Sequence, residues 1–447
     1  MNARAIPGRL GLRPGTLARR LVLQSAGSFG LNGATFVFNF VMALLLSRLI
    51  GASGYGAYSF ATAWALFLAV PALLGLPQLV IRETASYRVR KDWGRVRGLI
   101  RRVNELGLAA SLVVAGVAGV TCWLLDWPKP PLFVPTLIGL GLVPLVTVIS
   151  LRQGAMLGFG VVVLARAPEA LVTPVVTICL VLVFSVALAG GLTASWAVGA
   201  QVLGALLAAI VGIYLLRRTL PREAKTAPPV YENRLWLRGA VPFLLTGAIS
   251  SVNFQSGTVL TGAIAGSQAA GIYGVAVRVS GVLPFLAVAV VPALMPAVAE
   301  LYAQRDSERL QELLTRTARV VFFLSAPLGV GVMLFAGPLL AFFGSGFEGG
   351  ATTLRILCVG QIIALAAGFG MAILAMTGAA GETAKAAAAA AVVNVALGVA
   401  LIPMLGANGA AIASTASVIL MNVMAANLLW RRRRLFSPAI RLGLLAR

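Results

Sequence analysis

Arg278 sits in "GIYGVAVRVSGVLPF" (residues 271–285) and is the only charge between Arg238 and Glu300. A guanidinium carries five N–H donors in a planar fork that matches phosphate and carboxylate oxygens. An arginine at a helix centre costs roughly 2.5–3.5 kcal/mol on insertion scales, so its presence needs a reason. Two readings stand. It holds an anionic group in a cavity, or it snorkels to the outer headgroups from about seven residues inside its span.

Two polar faces accompany it. Gln24, Ser28, Asn32, Thr35 and Asn39 recur at helical spacing, as do Thr246, Ser250, Asn253 and Thr261, with Gln255 nearby. Such faces either hydrogen-bond between helices or line a wet pathway. Their recurrence in both halves of the chain favours the pathway and makes Asn32, Asn39, Asn253 and Gln255 cavity candidates. Arg48 ends the first span, as an interfacial anchor or a member of the same cavity. Pro284, Pro292 and Pro296 follow Arg278, and each removes a backbone donor from its helix.

Other chemistry is poorly provided for. There is no histidine, which removes the commonest general base and zinc ligand. Cys122, Cys179 and Cys358 lie far apart within apolar runs, as packing residues. No G-x-x-x-x-G-K-[ST] loop is present to cradle a nucleotide. Glu83, Glu105, Glu169, Glu300 and Glu382 fall near cytoplasmic helix ends, and Asp126 and Glu348 near the outer face. No carboxylate is expected at mid-membrane, where a carrier of cations would want one. No metal and no cofactor are expected.

The elements that position these residues are membrane spans. The chain has 447 residues, 59% hydrophobic and 11% charged, against about a quarter charged in a soluble protein. Twelve spans are expected, near 21–47, 55–81, 103–126, 131–152, 166–189, 193–216, 239–264, 271–299, 319–343, 354–377, 386–404 and 409–430. The first is a permanent span, too long for a signal peptide. With both termini cytoplasmic, all but four of the 36 Lys and Arg residues lie in cytoplasmic segments, as the positive-inside rule requires. The exceptions are Arg48, Lys129, Arg278 and Arg355. The net charge of +23 therefore marks orientation, not nucleic-acid binding. Arg152 and Arg166 are read as residues of one cytoplasmic loop.

The segment "LPREAKTAPPVYENRLW" separates six spans from six, and the halves repeat. "GAYSFA" from residue 56 matches "GIYGVA" from 271. "DWGRVRGLIRR" from 92 matches "DSERLQELLTR" from 306, and "GGLTASWAVG" falls in register with "GANGAAIAS". The offsets are 214 and 215, so Asn39 aligns with Asn253 and Arg278 with Ala63. The expected organisation is a first bundle at 1–216, a linker at 217–238, a second bundle at 239–430 and a basic tail at 431–447.

"LLLSRLIGASGYGAYSFATAWALFLAVPALLGLPQLVIRETA" resembles the opening of polysaccharide transporters of the O-antigen flippase type. They belong to the superfamily that holds multidrug extruders and the lipid II flippase. "GIYGVAVRV" is similar to the start of their second half, where Gly-x-Tyr stands near a basic residue, and so adds Tyr273 as a candidate. The resemblance covers essentially the whole chain, through soft motifs. It implies an all-α integral membrane protein, with twelve helices in two six-helix bundles forming a V around a central cavity. Helices one, two, seven and eight would line that cavity. The implied cargo is a polyprenyl-diphosphate-linked glycan, flipped by alternating access in a bacterial inner membrane. Implied partners are membrane lipids and a polysaccharide polymerase or glycosyltransferases, and no nucleic acid. A multidrug/cation antiporter of the same fold, a lipid II flippase, a membrane glycosyltransferase and a non-transporting scaffold are the alternatives.

Overall fold

The computed structural model describes the backbone of residues 14–433, apart from 190, 286, 288–289, 291–293, 295–296, 299, 303, 305 and 377–378. Side chains are described from 27 to 431, with 28, 307, 375, 376 and 380 as further exceptions. The expected tail past Arg433, Pro292 and Pro296, and the side chains of Gln24 and Ser28 lie outside the described residues.

Ten helices among the described residues are long and apolar enough to cross a membrane, and no strand occurs among them. Two exceed a single crossing, Phe29–Leu73 with 45 residues and Asn233–Ser280 with 48, since about 20 suffice. Each breaks at a glycine, Gly51 (φ 66°, ψ −177°) and Gly266 (φ 84°, ψ −178°), torsions open to a residue without Cβ. Asn39 and Ala63 would stand roughly 36 Å apart on an unbroken helix, yet they line one cavity. The arms therefore fold back on each other. Divided at these glycines, the ten helices give twelve segments, of which 267–280 is shorter than a full crossing.

In chain order they are α1 (14–50), α2 (52–73), α3 (Trp93–Leu124), α4 (Phe133–Gly158), α5 (Val162–Ala187) and α6 (Ala194–Thr219) in the first bundle. The second holds α7 (233–265), α8 (267–280), α9 (Ser307–Leu334), α10 (Ala351–Ala367), α11 (Ala380–Leu405) and α12 (Ala407–Arg433). After a bend at Leu74 and Gly75, α2 continues as Leu76–Arg90. The end of the molecule bearing the Arg-rich loops is called the basic face, and the end at Gly51 and Gly266 the hinge face.

The repeat is visible in local geometry. Gly51 and Gly266, with nearly the same torsions, lie 215 positions apart. Asp92 and Asp306, 214 apart, cap α3 and α9 in one way. Asp92 Oδ1 accepts from the Arg95 N–H at 3.1 Å, and Asp306 Oδ1 from the Arg309 N–H at 3.1 Å. Within bundles, small residues admit close approach. A β-carbon on Gly204 would meet Thr177 and the Thr173 carbonyl, and one on Gly154 the Pro77 carbonyl. The outer wall is apolar and faces lipid: Val113, Val117 and Val120 recur on one side of α3 and are all more than half exposed.

Three expectations change. The Gly160 turn (φ 78°) closes α4 at Gly158 and opens α5 at Val162, so Arg152 and Arg166 lie inside helices rather than in a loop. The first turns of a buried helix carry charge as readily as a loop does, which hid the boundary. Glu169 likewise stands on the second turn of α5, in a π-helical segment, Pro168–Val172. Finally, α8 starts directly after Gly266 and not at 271, which sets Arg278 deeper than the sequence suggests.

The linker is anchored to the first bundle. After a short helix, Arg222–Thr226, the Val230 N–H donates to the Gly94 carbonyl at 3.0 Å. Arg97 Nη1 donates to the Ala227 carbonyl at 2.8 Å. Gly98 leaves room for the Val230 backbone, where any β-carbon would collide.

Candidate functional site

A cavity of about 630 Å³ lies between the bundles. From α1 it takes Asn32, Thr35, Phe36, Asn39 and Phe40, and from α2 Tyr55, Ser59, Thr62, Ala63 and Leu66. Phe254, Gln255 and Thr258 come from α7, Gly274, Val277 and Arg278 from α8, and Gly281, Pro284 and Phe285 from the residues just after it. These are the four helices that the resemblance implies.

Arg278 is the one charged residue of this lining. It lies twelve residues past Gly266, about 18 Å along the helix and close to the middle of a core about 30 Å thick. Its side chain is exposed to the cavity. Among the described residues no hydrogen bond or ion pair reaches the guanidinium, and no carboxylate lines the wall. The remaining surface is amide, hydroxyl, aromatic and aliphatic, the last from Ala63, Leu66, Val277 and Pro284. Asn39 Nδ2 donates to the Thr35 carbonyl at 2.9 Å, and Thr35 Oγ1 to that of Leu31 at 2.8 Å. Phe36 and Phe285 pack with ring centroids 5.3 Å apart, and Phe254 is 82% exposed. The cavity can accept an anion and apolar ring faces, and offers a cation only neutral amide and hydroxyl oxygens and aromatic faces, with no carboxylate in the lining.

The sequence candidates divide. Arg278, Asn32, Asn39 and Gln255 line the cavity, while Arg48, Asn253 and Tyr273 do not. Arg48 Nε donates to the Phe342 carbonyl at 2.9 Å, and the guanidinium lies 4.5 Å from the Phe342 ring centroid. It thus pins the first bundle to the second at the hinge face. Asn253 turns into its own bundle: its Nδ2 donates to the Ala387 carbonyl at 3.1 Å, and Ser417 Oγ lies 3.2 Å from its Oδ1. Tyr273 is buried against Gly257. Repeat-related Asn39 and Asn253 therefore have different surroundings.

At the hinge face α2 touches α8. Ser53 Oγ and Ser267 Oγ are 2.7 Å apart. Phe343 and Phe347, both buried, meet Phe40 and Tyr55 edge-on across the same boundary. The cavity is closed at that end.

A model of the polysaccharide biosynthesis protein family matches residues 27–302. The chain belongs to that family. The MatE family model matches residues 242–404. Among solved structures, the chain is similar to the inward-facing conformation of a multidrug resistance MATE family transporter of the MOP superfamily. The TM-score is 0.72 at 16% identity, covering 90% of this chain and 94% of that one. It is similar to the lipid II flippase MurJ in an inward closed conformation, with TM-score 0.70, 12% identity and coverage of 91% and 87%. It is also similar to a MOP superfamily transporter from Pyrococcus furiosus, with TM-score 0.63, 15% identity and coverage of 93% and 95%. No curated protein matches. The chain is thus a multi-pass membrane protein with the fold of MOP-superfamily transporters and flippases.

For this family member, sequence reasoning missed Arg166. Its Nη1 donates to Asn32 Oδ1 at 3.3 Å, which ties α5 to a cavity residue of α1. The available signal was "GFG" at 158–160, a turn that starts the next helix before Arg166.

Proposed function

We propose that the chain is a flippase for lipid-linked oligosaccharide. It moves polyprenyl-diphosphate sugar headgroups from the cytoplasmic to the outer leaflet of a bacterial inner membrane, for surface polysaccharide. One observation carries this reading: an unpaired arginine at mid-depth in a cavity without a carboxylate. Arg278 meets the diphosphate, and Asn32, Asn39 and Gln255 meet sugar hydroxyls. The exposed Phe254 and its aromatic neighbours offer apolar faces to sugar rings. The lipid tail stays in the bilayer, and the two bundles, 1–216 and 239–430, rock about the linker. The basic face is cytoplasmic by the positive-inside rule, with both termini on that side. The reading supports a polymerase or glycosyltransferases as partners that consume or supply the cargo.

The MatE match favours a second reading, export of cationic drugs, but the cavity charge has the opposite sign. Deleting the gene and measuring surface polysaccharide and polyprenyl-diphosphate oligosaccharide tests the choice. Loss of polymer with intermediate trapped on the cytoplasmic leaflet is expected. Unchanged polymer with no trapped intermediate overturns the flippase reading.

A further inference from the structure

A second cavity, of about 350 Å³, lies between α2 with its continuation, α4 and α7. Leu73, Leu157 and Phe243 give it apolar walls, and Gln78 and Gln153 line it with Arg166, its one charged lining residue. It lies toward the basic face, because Arg166 is the fifth residue of α5. Its bonded partner Asn32 stands seven residues nearer that face than Asn39, about 10 Å along α1.

Arg166 is held by little. Its one hydrogen bond among the described residues goes to the neutral Asn32 amide, though a guanidinium offers five N–H groups. Glu169, one turn on, feels its charge, yet no ion pair joins the two among the described residues. Arg166 is half-buried. With one N–H spent on Asn32, the rest of its planar fork is left for a group in the cavity it lines, whose volume of about 350 Å³ would admit a phosphate.

We infer that this cavity is a second anion site, in which Arg166 receives a phosphate-bearing group before it passes Asn32 and reaches Arg278. The order of visits rests on the flippase reading; binding at Arg166 does not. Arg166 lines one cavity and its bonded partner Asn32 the other, so the two sites are neighbours. A phosphate could come from a lipid-linked headgroup or from a free phosphate compound.

Full-length protein in phosphatidylcholine nanodiscs is titrated calorimetrically with inorganic diphosphate and with farnesyl diphosphate. Wild type should bind two equivalents of inorganic diphosphate. Arg166→Gln and Arg278→Gln should each retain one, and the double variant none. Arg166→Lys keeps the charge and should keep the second site. Loss of charge-assisted hydrogen bonds should weaken that site by about tenfold or more. Tighter binding of farnesyl diphosphate assigns a lipid-linked source, and equal binding a free one. Folded Arg166→Gln protein with wild-type stoichiometry and affinity overturns the inference, as does wild type that binds no diphosphate. Two sites together with unchanged surface polysaccharide on gene deletion would sink the flippase reading and keep this one. A trapped intermediate with binding indifferent to Arg166 would do the reverse.

Discussion

Gly56 and Gly271, 215 positions apart, meet the opposite half of the molecule in the same way. A β-carbon on Gly56 would collide with the Ser267 carbonyl, and one on Gly271 with the Ala52 carbonyl. Ala52 and Ser267 are themselves 215 apart, so the contact is reciprocal about the repeat axis. Backbone against backbone leaves nothing flexible to give way. The contact seals the hinge face and must open for any group to leave the cavity there.

Ser53 and Ser267 flank that seal with their hydroxyl oxygens 2.7 Å apart, near enough for side chains that could be bridged. In a background without Cys122, Cys179 and Cys358, Ser53→Cys with Ser267→Cys should cross-link on oxidation. Transport should stop and return on reduction, with each single variant unaffected by oxidant. Undiminished transport by fully cross-linked protein would show that the hinge face need not open.

Among the described residues no hydrogen bond or ion pair reaches Arg278, so on the flippase proposal its partner is the cargo. Arg278→Ala should lower transport about tenfold to a hundredfold, the range that loss of a charge-assisted hydrogen bond implies. Arg278→Lys should retain part of it, since Lys keeps the charge without the fork. Transport measured at matched expression decides this. Full activity of the Ala variant would make Arg278 a snorkelling residue.

Much of this was legible in the sequence because bilayer physics is strict. Apolar length fixes spans, and the bias of Lys and Arg fixes which loops share a face. The repeat gave two offsets, and both reappear as matched torsions at Gly51 and Gly266 and matched caps at Asp92 and Asp306. What failed was depth and facing. Charged residues inside helix ends read as loops, which concealed Arg166. A polar stripe specifies a face but not its neighbour, so Asn39 and Asn253 looked equivalent although one lines the cavity and the other a bundle interior. Arg48 reads as an anchor or a cavity residue until Phe342, nearly 300 positions away, supplies its partner.

The charge of the cavity can be cancelled without touching Arg278. Ser59 packs against Gly274, where a β-carbon would stand 3.2 Å from Ser59 Oγ, and Gly274 lies one helical turn before Arg278 in the same cavity wall. Ser59→Asp would place a carboxylate near the guanidinium and lower its hold on an anion. Transport should fall about as far as in Arg278→Ala, whereas the neutral isostere Ser59→Asn should stay close to wild type. Equal activity of the Asp and Asn variants would mean that cavity charge does not select the cargo.

The basic face is held by a clasp between the first bundle and the start of α7. The Trp236 indole N–H donates to Tyr87 Oη at 3.1 Å, and Tyr87 O–H donates to Glu232 Oε2 at 3.3 Å. Arg95 binds Glu232 and Asp92, at 2.9 and 2.7 Å. Burial, only partly offset by the Trp236 bond, raises the Tyr87 phenol above its ordinary range. A raised folded value means that its contribution is complete below the unfolded pKa, about 10, and fades as pH climbs through the folded one. Tyr87→Phe leaves the indole N–H without its acceptor and should cost about 1–3 kcal/mol. Thermal unfolding of detergent-solubilised protein should show a lower midpoint at pH 7, and a smaller gap from wild type in strong alkali. A midpoint equal to wild type at pH 7 would remove the clasp from the account of stability.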